Sequence, residues 1–323
     1  MLPAYAAGFD EIRNNPRPSG GTITIRQYRE NIDKLAAKHP LPKVIVEDKT
    51  ITHHGIEVKL VLYRPLGTEN QVLPVVLFFH GGGFVFGSRN SHVKGIRDIC
   101  NESKVSGIFV DYSLAAEVKY PTAHDECYTA FAWVLENSES INVDTSKLAL
   151  YGDSVGRNLV ASIARKTAYC LFSKQICIVM AKERGTLDKI KTQVLIYPWL
   201  YLASNTFESY EQYGNGSYPL PRREMEYFDK AYFTEKDIKD KFAYPLLATV
   251  DELQGLPPAI LFIAETDSLR DEGEAFARKL IKAGVSTTAV RFIGARKFSL
   301  LTVDSITSSF ILTITPHCRP RIL

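Results

Sequence analysis

The sequence predicts an α/β fold built on a mostly parallel, doubly wound sheet, and three observations predict it. Five short runs, at 73–79, 107–110, 148–151, 193–197 and 259–263, are almost wholly apolar, as strands buried on both faces are. Helix-length patterns alternate with them, at 91–100, 121–135, from 156 onward and at 270–283. Strands that alternate with helices build parallel sheets. The third observation is a break: 200–244 leaves the alternation and is rich in Tyr, Glu and Arg. We read it as a helical cap or lid insertion over the carboxyl edge of the sheet, where ligands bind in open α/β sheets.

The flanks are read in turn. Residues 1–45 are polar and mixed, with helical stretches expected at 7–13 and 25–38, and form an N-terminal helical cap segment. Runs at 43–48 and 57–63 flank His53-His54-Gly55 and predict an antiparallel hairpin. The α/β domain is expected over 46–295. The whole chain of 323 residues, 45% hydrophobic and 23% charged, suits one globular domain with an insertion. The net charge of +3, from 39 basic and 36 acidic residues, speaks against nucleic acid or an anionic membrane as main partner. Five cysteines, Cys100, Cys127, Cys170, Cys177 and Cys318, show no metal spacing. They read as free thiols in a reducing, cytoplasmic setting. The first residues carry neither a basic stretch nor a long apolar run, so neither a leader nor a membrane span is expected. No metal and no cofactor is expected.

Three motifs carry chemistry. Gly152-Asp153-Ser154-Val155-Gly156 follows one predicted strand and opens a helix. A Gly-x-Ser-x-Gly in that setting is a nucleophile elbow, with the serine on a tight turn. The helix behind it points its amino end at the serine, which favours developing negative charge. His80-Gly81-Gly82-Gly83-Phe84 follows another strand. Bare glycines let backbone N–H groups aim at an oxyanion, and His80 reads as a packed structural group. Asp267 ends a third strand, where a triad acid belongs. Asp271 and Glu272 behind it read as charges that cap the next helix.

These blocks, with Asp111-Tyr112, Tyr120-Pro121, Leu195-Ile-Tyr-Pro198 and Asp267-Ser-Leu-Arg-Asp-Glu-Gly273, resemble the hormone-sensitive-lipase-like carboxylesterases, a family of the α/β-hydrolase fold. The likeness runs from about 40 to about 294. It implies hydrolysis of small-molecule esters, of short to medium acyl chains, through an acyl-serine. Ser154 is then the nucleophile, Asp267 the triad acid, and Gly82, Gly83 and the N–H of Val155 the oxyanion hole.

The chain departs from that pattern in several places. The family's histidine lies in a strand–Gly-x-x-His-x-Phe setting. Here the matching stretch is Gly294-Ala295-Arg296-Lys297-Phe298, so the register of the histidine holds Lys297. Between His124 and His317 there is no histidine. A serine without a base is a poor nucleophile, and loss of the histidine in a triad enzyme costs roughly 10⁶ in turnover. A Ser–Lys pair needs a lysine made neutral by burial, and Lys297 reads here as a surface charge. Activity is therefore expected to be impaired. The other reading is a non-catalytic, ligand-binding relative, as in the plant gibberellin receptors, which resemble the family, keep the serine and lack the histidine.

Smaller departures are Arg157, where the family has a small residue, and Ser113-Leu-Ala-Ala-Glu117 for Arg-Leu-Ala-Pro-Glu. Each is expected to loosen packing near the site. An insert at 165–178 and a Thr-, Ser- and Ile-rich tail at 296–323 are also anomalous. Both start at Arg-Lys after an alanine, in Ala164-Arg165-Lys166 and Ala295-Arg296-Lys297, and Arg-Lys can be encoded CGT-AAG, which contains a splice donor. We hypothesise that 165–178 and 296–318 are translated introns of a eukaryotic gene. Sequencing the mature transcript is expected to show a message without them and with histidine in the register of Lys297; a message containing both overturns the idea.

Overall fold

The computed structural model describes residues 25–36, 40–172, 189–204 and 206–297. The expected helix at 7–13 and the segments 173–188 and 298–323 lie outside the described residues. Two strands, β1 (Ile45–His53) and β2 (Ile56–Arg64), form the expected hairpin. His54 and Gly55 turn it with φ of 49° and 79°, the sign that a tight two-residue hairpin turn requires. β2 pairs antiparallel with β4 (Ser106–Asp111). From there the sheet is parallel through β3 (Leu73–Phe79), β5 (Val143–Asp153), β6 (Ile190–Ile196), β7 (Ala259–Thr266) and β8 (Thr287–Arg296). The order across the sheet is β1-β2-β4-β3-β5-β6-β7-β8.

All five apolar runs are strands of this sheet. β8 was not among them, because it is an edge strand with most side chains at least partly exposed and so lacks an apolar run. Along β3, Leu77 and Phe79 join one core and Val76 and Phe78 the other, as the two-residue period of a strand dictates. Phe131, Leu159 and Phe276 complete the first core, and Ile96, Ile99 and Cys100 the second.

The helices are α1 (Ile25–Ala36), α2 (Arg89–Ser103), α3 (Thr122–Glu136), α4 (Gly156–Phe172), α5 (Glu208–Tyr213), α6 (Arg222–Tyr232) and α7 (Arg270–Lys282). α2 starts where Ser88 accepts from the N–H groups of Asn90 and Ser91, while Ser91 Oγ accepts from the N–H of Ser88, a reciprocal cap. It stops at Lys104, which turns left-handed with φ of 53°. α5 and α6 fall within 200–244. α4 continues through the first half of the segment 165–178. Its Arg165 is buried, donates to the carbonyl of Lys241 and lies 4.8 Å over the Phe242 ring. Among the described residues no helix is long and apolar enough to cross a membrane.

Phe131 lies wholly inside the first core. Phe131→Ala is expected to lower stability by about 3–5 kcal/mol, read from the urea midpoint. A change below about 1 kcal/mol would mean that the core around α3 collapses into the space.

Candidate active site

Four parallel strands deliver the site. β3 runs into His80-Gly81-Gly82-Gly83, β5 into Ser154, β7 into Asp267 and β8 into Lys297. Each group stands just past the carboxyl end of its strand, so all four meet along one edge of the sheet.

Ser154 sits between β5 and α4 with φ of 51°, a left-handed conformation that costs a non-glycine residue energy. Three backbone hydrogen bonds hold it there. Its N–H donates to the carbonyl of Ile196 (3.2 Å), and its carbonyl accepts from Trp199 and Arg157 (both 3.3 Å). Gly156 permits the turn, because a Cβ there would stand 1.9 Å from the carbonyl oxygen of Phe79. The amino end of α4 is thereby pressed against the end of β3. Val155 is buried between the serine and that helix.

In the glycine loop, Gly82 has φ of 117° and its carbonyl accepts from Val85 (3.1 Å) and Phe86 (2.8 Å). Side chains on Gly82 or Gly83 would strike the carbonyl of Phe86 or the ring of Phe228. Asp153 fastens the loop to the elbow: its Oδ1 accepts from the N–H of Gly81 (2.8 Å) and lies 3.5 Å from His92 Nε2. His92 passed unnoticed in the sequence, its one signal being its place after the Ser88–Ser91 cap. Burial alone would pull His92 down, but the Asp153 carboxylate raises it above its ordinary value. Burial would likewise push Asp153 up, and the charge and hydrogen bond of His92 hold it below the usual carboxylate range. His80 is the packed group expected. Its ring stacks on Tyr112 (4.2 Å) and Phe109 (5.3 Å), its Nδ1 donates to the Gly81 carbonyl (2.7 Å), and burial pulls it down to about 3.

Lys297 corrects the expectation of a surface charge. It is 2% exposed, with Nζ 3.6 Å from Asp267 Oδ2 and 4.6 Å from the centre of the Tyr197 ring. The reason is register. Thr266 of β7 pairs with Arg296 of β8, so the next residue of each strand, Asp267 and Lys297, emerges side by side. Asp267 is buried too; its Oδ1 accepts from the N–H of Leu269 (3.1 Å). Burial drives Lys297 down and Asp267 up, each against the pull of the other's charge.

Arg157 does not loosen the elbow as expected. It is wholly buried, with Nε donating to the Gly152 carbonyl (2.7 Å) and the guanidinium 5.6 Å from the Tyr197 ring. Its Nη1 and Nη2 find no hydrogen-bond partner among the described residues. Ser113 is equally well anchored, its N–H and Oγ donating to Glu126 at 2.6 and 2.7 Å. Asp271 and Glu272 do more than charge a helix end. Asp271 accepts from the N–H of Ser209 (2.8 Å), and buried Glu272 accepts from the hydroxyl of Tyr210 (3.2 Å). They tie α7 to α5.

The cavity above these groups occupies about 720 Å³ including its open mouth. Ser154, Gly82, Gly83 and Lys297 form its floor, while Asp267 stands behind Lys297. Apolar walls come from Tyr28 and Ile32 of α1 and from Trp199, Leu220 and Phe228.

This fold and site define a hydrolase-type α/β protein, and comparison with known proteins agrees. The profile of a family described as alpha/beta hydrolase fold matches residues 76–296. The chain is 33% identical over 288 residues to an ethyl acetate hydrolase of Pseudomonas putida, covering 88% of this chain and 81% of that one. It is 32% identical over 273 residues to an arylesterase of Saccharolobus solfataricus, covering 83% and 82%. A solved esterase of the fungus Rhizomucor miehei superposes with a TM-score of 0.84 at 42% identity, covering 96% of this chain and 95% of that one. The chain belongs to the hormone-sensitive-lipase-like carboxylesterase family of α/β-hydrolases, a family that acts on small esters.

The Asp153–His92 pair gives the site a pH signature. His92 is raised on folding, so its contribution to stability is full below about 6.5, its ordinary value, and is lost as pH rises through the folded value. Asp153 is lowered, so its contribution holds above about 3.9 and is lost as pH falls through the folded value. The stability advantage of the unaltered chain over His92→Gln is therefore expected to shrink from pH 6 to pH 9, followed by urea unfolding. An advantage that grows over that span would show that His92 is held neutral.

Proposed function

We propose that this chain is a serine carboxylester hydrolase that passes through an acyl-serine on Ser154, and that its turnover is slow because Lys297, not a histidine, stands beside Asp267. The observation that carries this reading is the shared cavity floor: strained Ser154 beside the backbone of Gly82 and Gly83. Ser154 Oγ attacks the ester carbonyl. The N–H groups of Gly82, Gly83 and Val155 stabilise the tetrahedral oxyanion, the alcohol leaves, and water releases the acid. Asp267 is the acid of the relay. The apolar walls suit short to medium acyl chains. The reading places the protein in the cytoplasm, in keeping with the free, buried thiols of Cys100 and Cys127.

The missing histidine favours a second reading, a non-catalytic relative that binds a small ligand in the same cavity. Holding Ser154 at φ of 51° costs about 1–3 kcal/mol, and this strain has a use in catalysis and none in ligand binding alone. Hydrolysis of p-nitrophenyl butyrate separates the two. The unaltered chain is expected to turn over slowly and Ser154→Ala to fall to background. Lys297→His is expected to raise kcat by roughly 10²-fold, within the range for a placed general base. Turnover that survives Ser154→Ala would refute the acyl-serine. Saturable binding of the ester with no serine-dependent turnover, even in Lys297→His, would establish the second reading.

A further inference from the structure

Three groups used by no step above, Lys297, Arg157 and Glu272, are buried within electrostatic reach of Asp267. We propose, building on the acyl-serine reading, that Lys297 is the proton acceptor of Ser154 and stands in this chain where the family's histidine would be.

Geometry is the first support. In a serine triad the base touches the acid on one side and faces the nucleophile on the other. Lys297 meets the acid, with Nζ 3.6 Å from Asp267 Oδ2, and it lines the same cavity as Ser154. Strand register places it there, because Thr266 and Arg296 are paired and the following residues must be neighbours.

Charge is the second. The groups that bear on Lys297 come from five elements. Asp267 follows β7, Glu272 lies at the start of α7, Arg157 on α4, and Asp153 at the end of β5. The Tyr197 ring follows β6. Burial pushes Glu272 well above the usual carboxylate range, toward its uncharged form. Asp153 is engaged by His92 and Gly81. Among the described residues that bear on Lys297, Asp267 is the nearest carboxylate for two cations, Arg157 and Lys297. A buried site of this kind sheds its surplus charge. A guanidinium keeps its proton far more firmly than an amine, so the proton leaves Lys297. Burial and the neighbouring Arg157 cation both press in that direction. Arg157, at the position where a small residue was expected, thereby becomes a positioning residue for a lysine base.

The proton then balances at each step. The Lys297 amine takes the hydroxyl proton as Ser154 Oγ bonds to the carbonyl carbon. The resulting ammonium, held by Asp267, returns a proton to the departing alkoxide as the C–O bond breaks. In deacylation the amine takes a proton from water while the hydroxide bonds to the acyl carbon, and the ammonium returns a proton to Ser154 Oγ as the acid leaves.

Kinetics on p-nitrophenyl butyrate with the full chain test the proposal. An amine base works only when unprotonated, so kcat/KM is expected to rise with pH to a plateau, with its midpoint below the ordinary lysine value of about 10.4. Arg157→Gly removes a neighbouring cation and is expected to move that midpoint upward. Lys297→Arg keeps the counter-ion of Asp267 but cannot give up its proton, so it is expected to lose roughly 10²-fold or more in kcat while its urea midpoint stays close to that of the unaltered chain. Lys297→Met should lose as much. If Lys297→Arg keeps its rate, Lys297 is only a counter-ion and the proposal is overturned, with the acyl-serine left standing. A midpoint unmoved by Arg157→Gly also overturns it. Loss of the acyl-serine reading itself has a different signature, Ser154→Ala as active as the unaltered chain.

Discussion

The parallel pairing of β7 with β8 up to Thr266 and Arg296 is the constraint on which this site turns. It brings Asp267 and Lys297 to ion-pair distance at a depth where water cannot screen them. An unpartnered charge there would cost several kcal/mol. Asp267 Oδ2 and Lys297 Nζ, 3.6 Å apart, each limit that cost for the other. Tyr197 beneath Lys297 and Arg157 beside it extend the same buried patch under the serine elbow. The chemistry of the cavity floor is thus governed by how few negative charges this patch holds.

The rest of the cavity is fastened to the sheet by polar ties from outside its plane. Arg29 of α1 reaches two segments at once: it donates to the Val85 carbonyl (2.8 Å) and, across from it, to the Ala115 carbonyl (2.6 Å) and Glu117 (2.7 and 2.9 Å). It thereby holds the glycine loop against the loop around Ser113. On the opposite side Asp271 and Glu272 bind α5, and the hydroxyl of Ser268 donates to the carbonyl of Leu220 (2.7 Å). These contacts join the insertion at 200–244 to the strand end that carries Asp267. A wall of the cavity is therefore tied to the strand end that carries Asp267.

Family membership sets the chemistry of the cavity, and this chain's own residues set its limits. The esterase relatives and the solved fungal esterase share the fold over most of their length. Two residues of this chain's own site matter most here: Lys297 at the cavity floor and Arg157 behind the serine. Both side chains are received by the fold without exposure to solvent. The two residues belong to one electrostatic patch and are best read together.

Much of this was legible in the residues themselves. Apolar runs revealed β3 to β7, because strands buried on both faces tolerate little else, and glycines marked Gly82 and Gly156, because no Cβ fits where backbone meets backbone. β8 was illegible, since an edge strand needs no apolar run, and with it went the fate of Lys297. A lysine within Arg-Lys-Phe looks like any surface charge until β7 is placed beside it. His92 was hidden for the same reason: its importance lies in Asp153, brought near by a strand and a helix distant in sequence. Local sequence determined which elements form and which turns are tight, because those depend on side-chain period and on steric room at single residues. Tertiary structure alone decided which buried charges face one another, because that depends on the register between strands that meet only once the sheet is assembled.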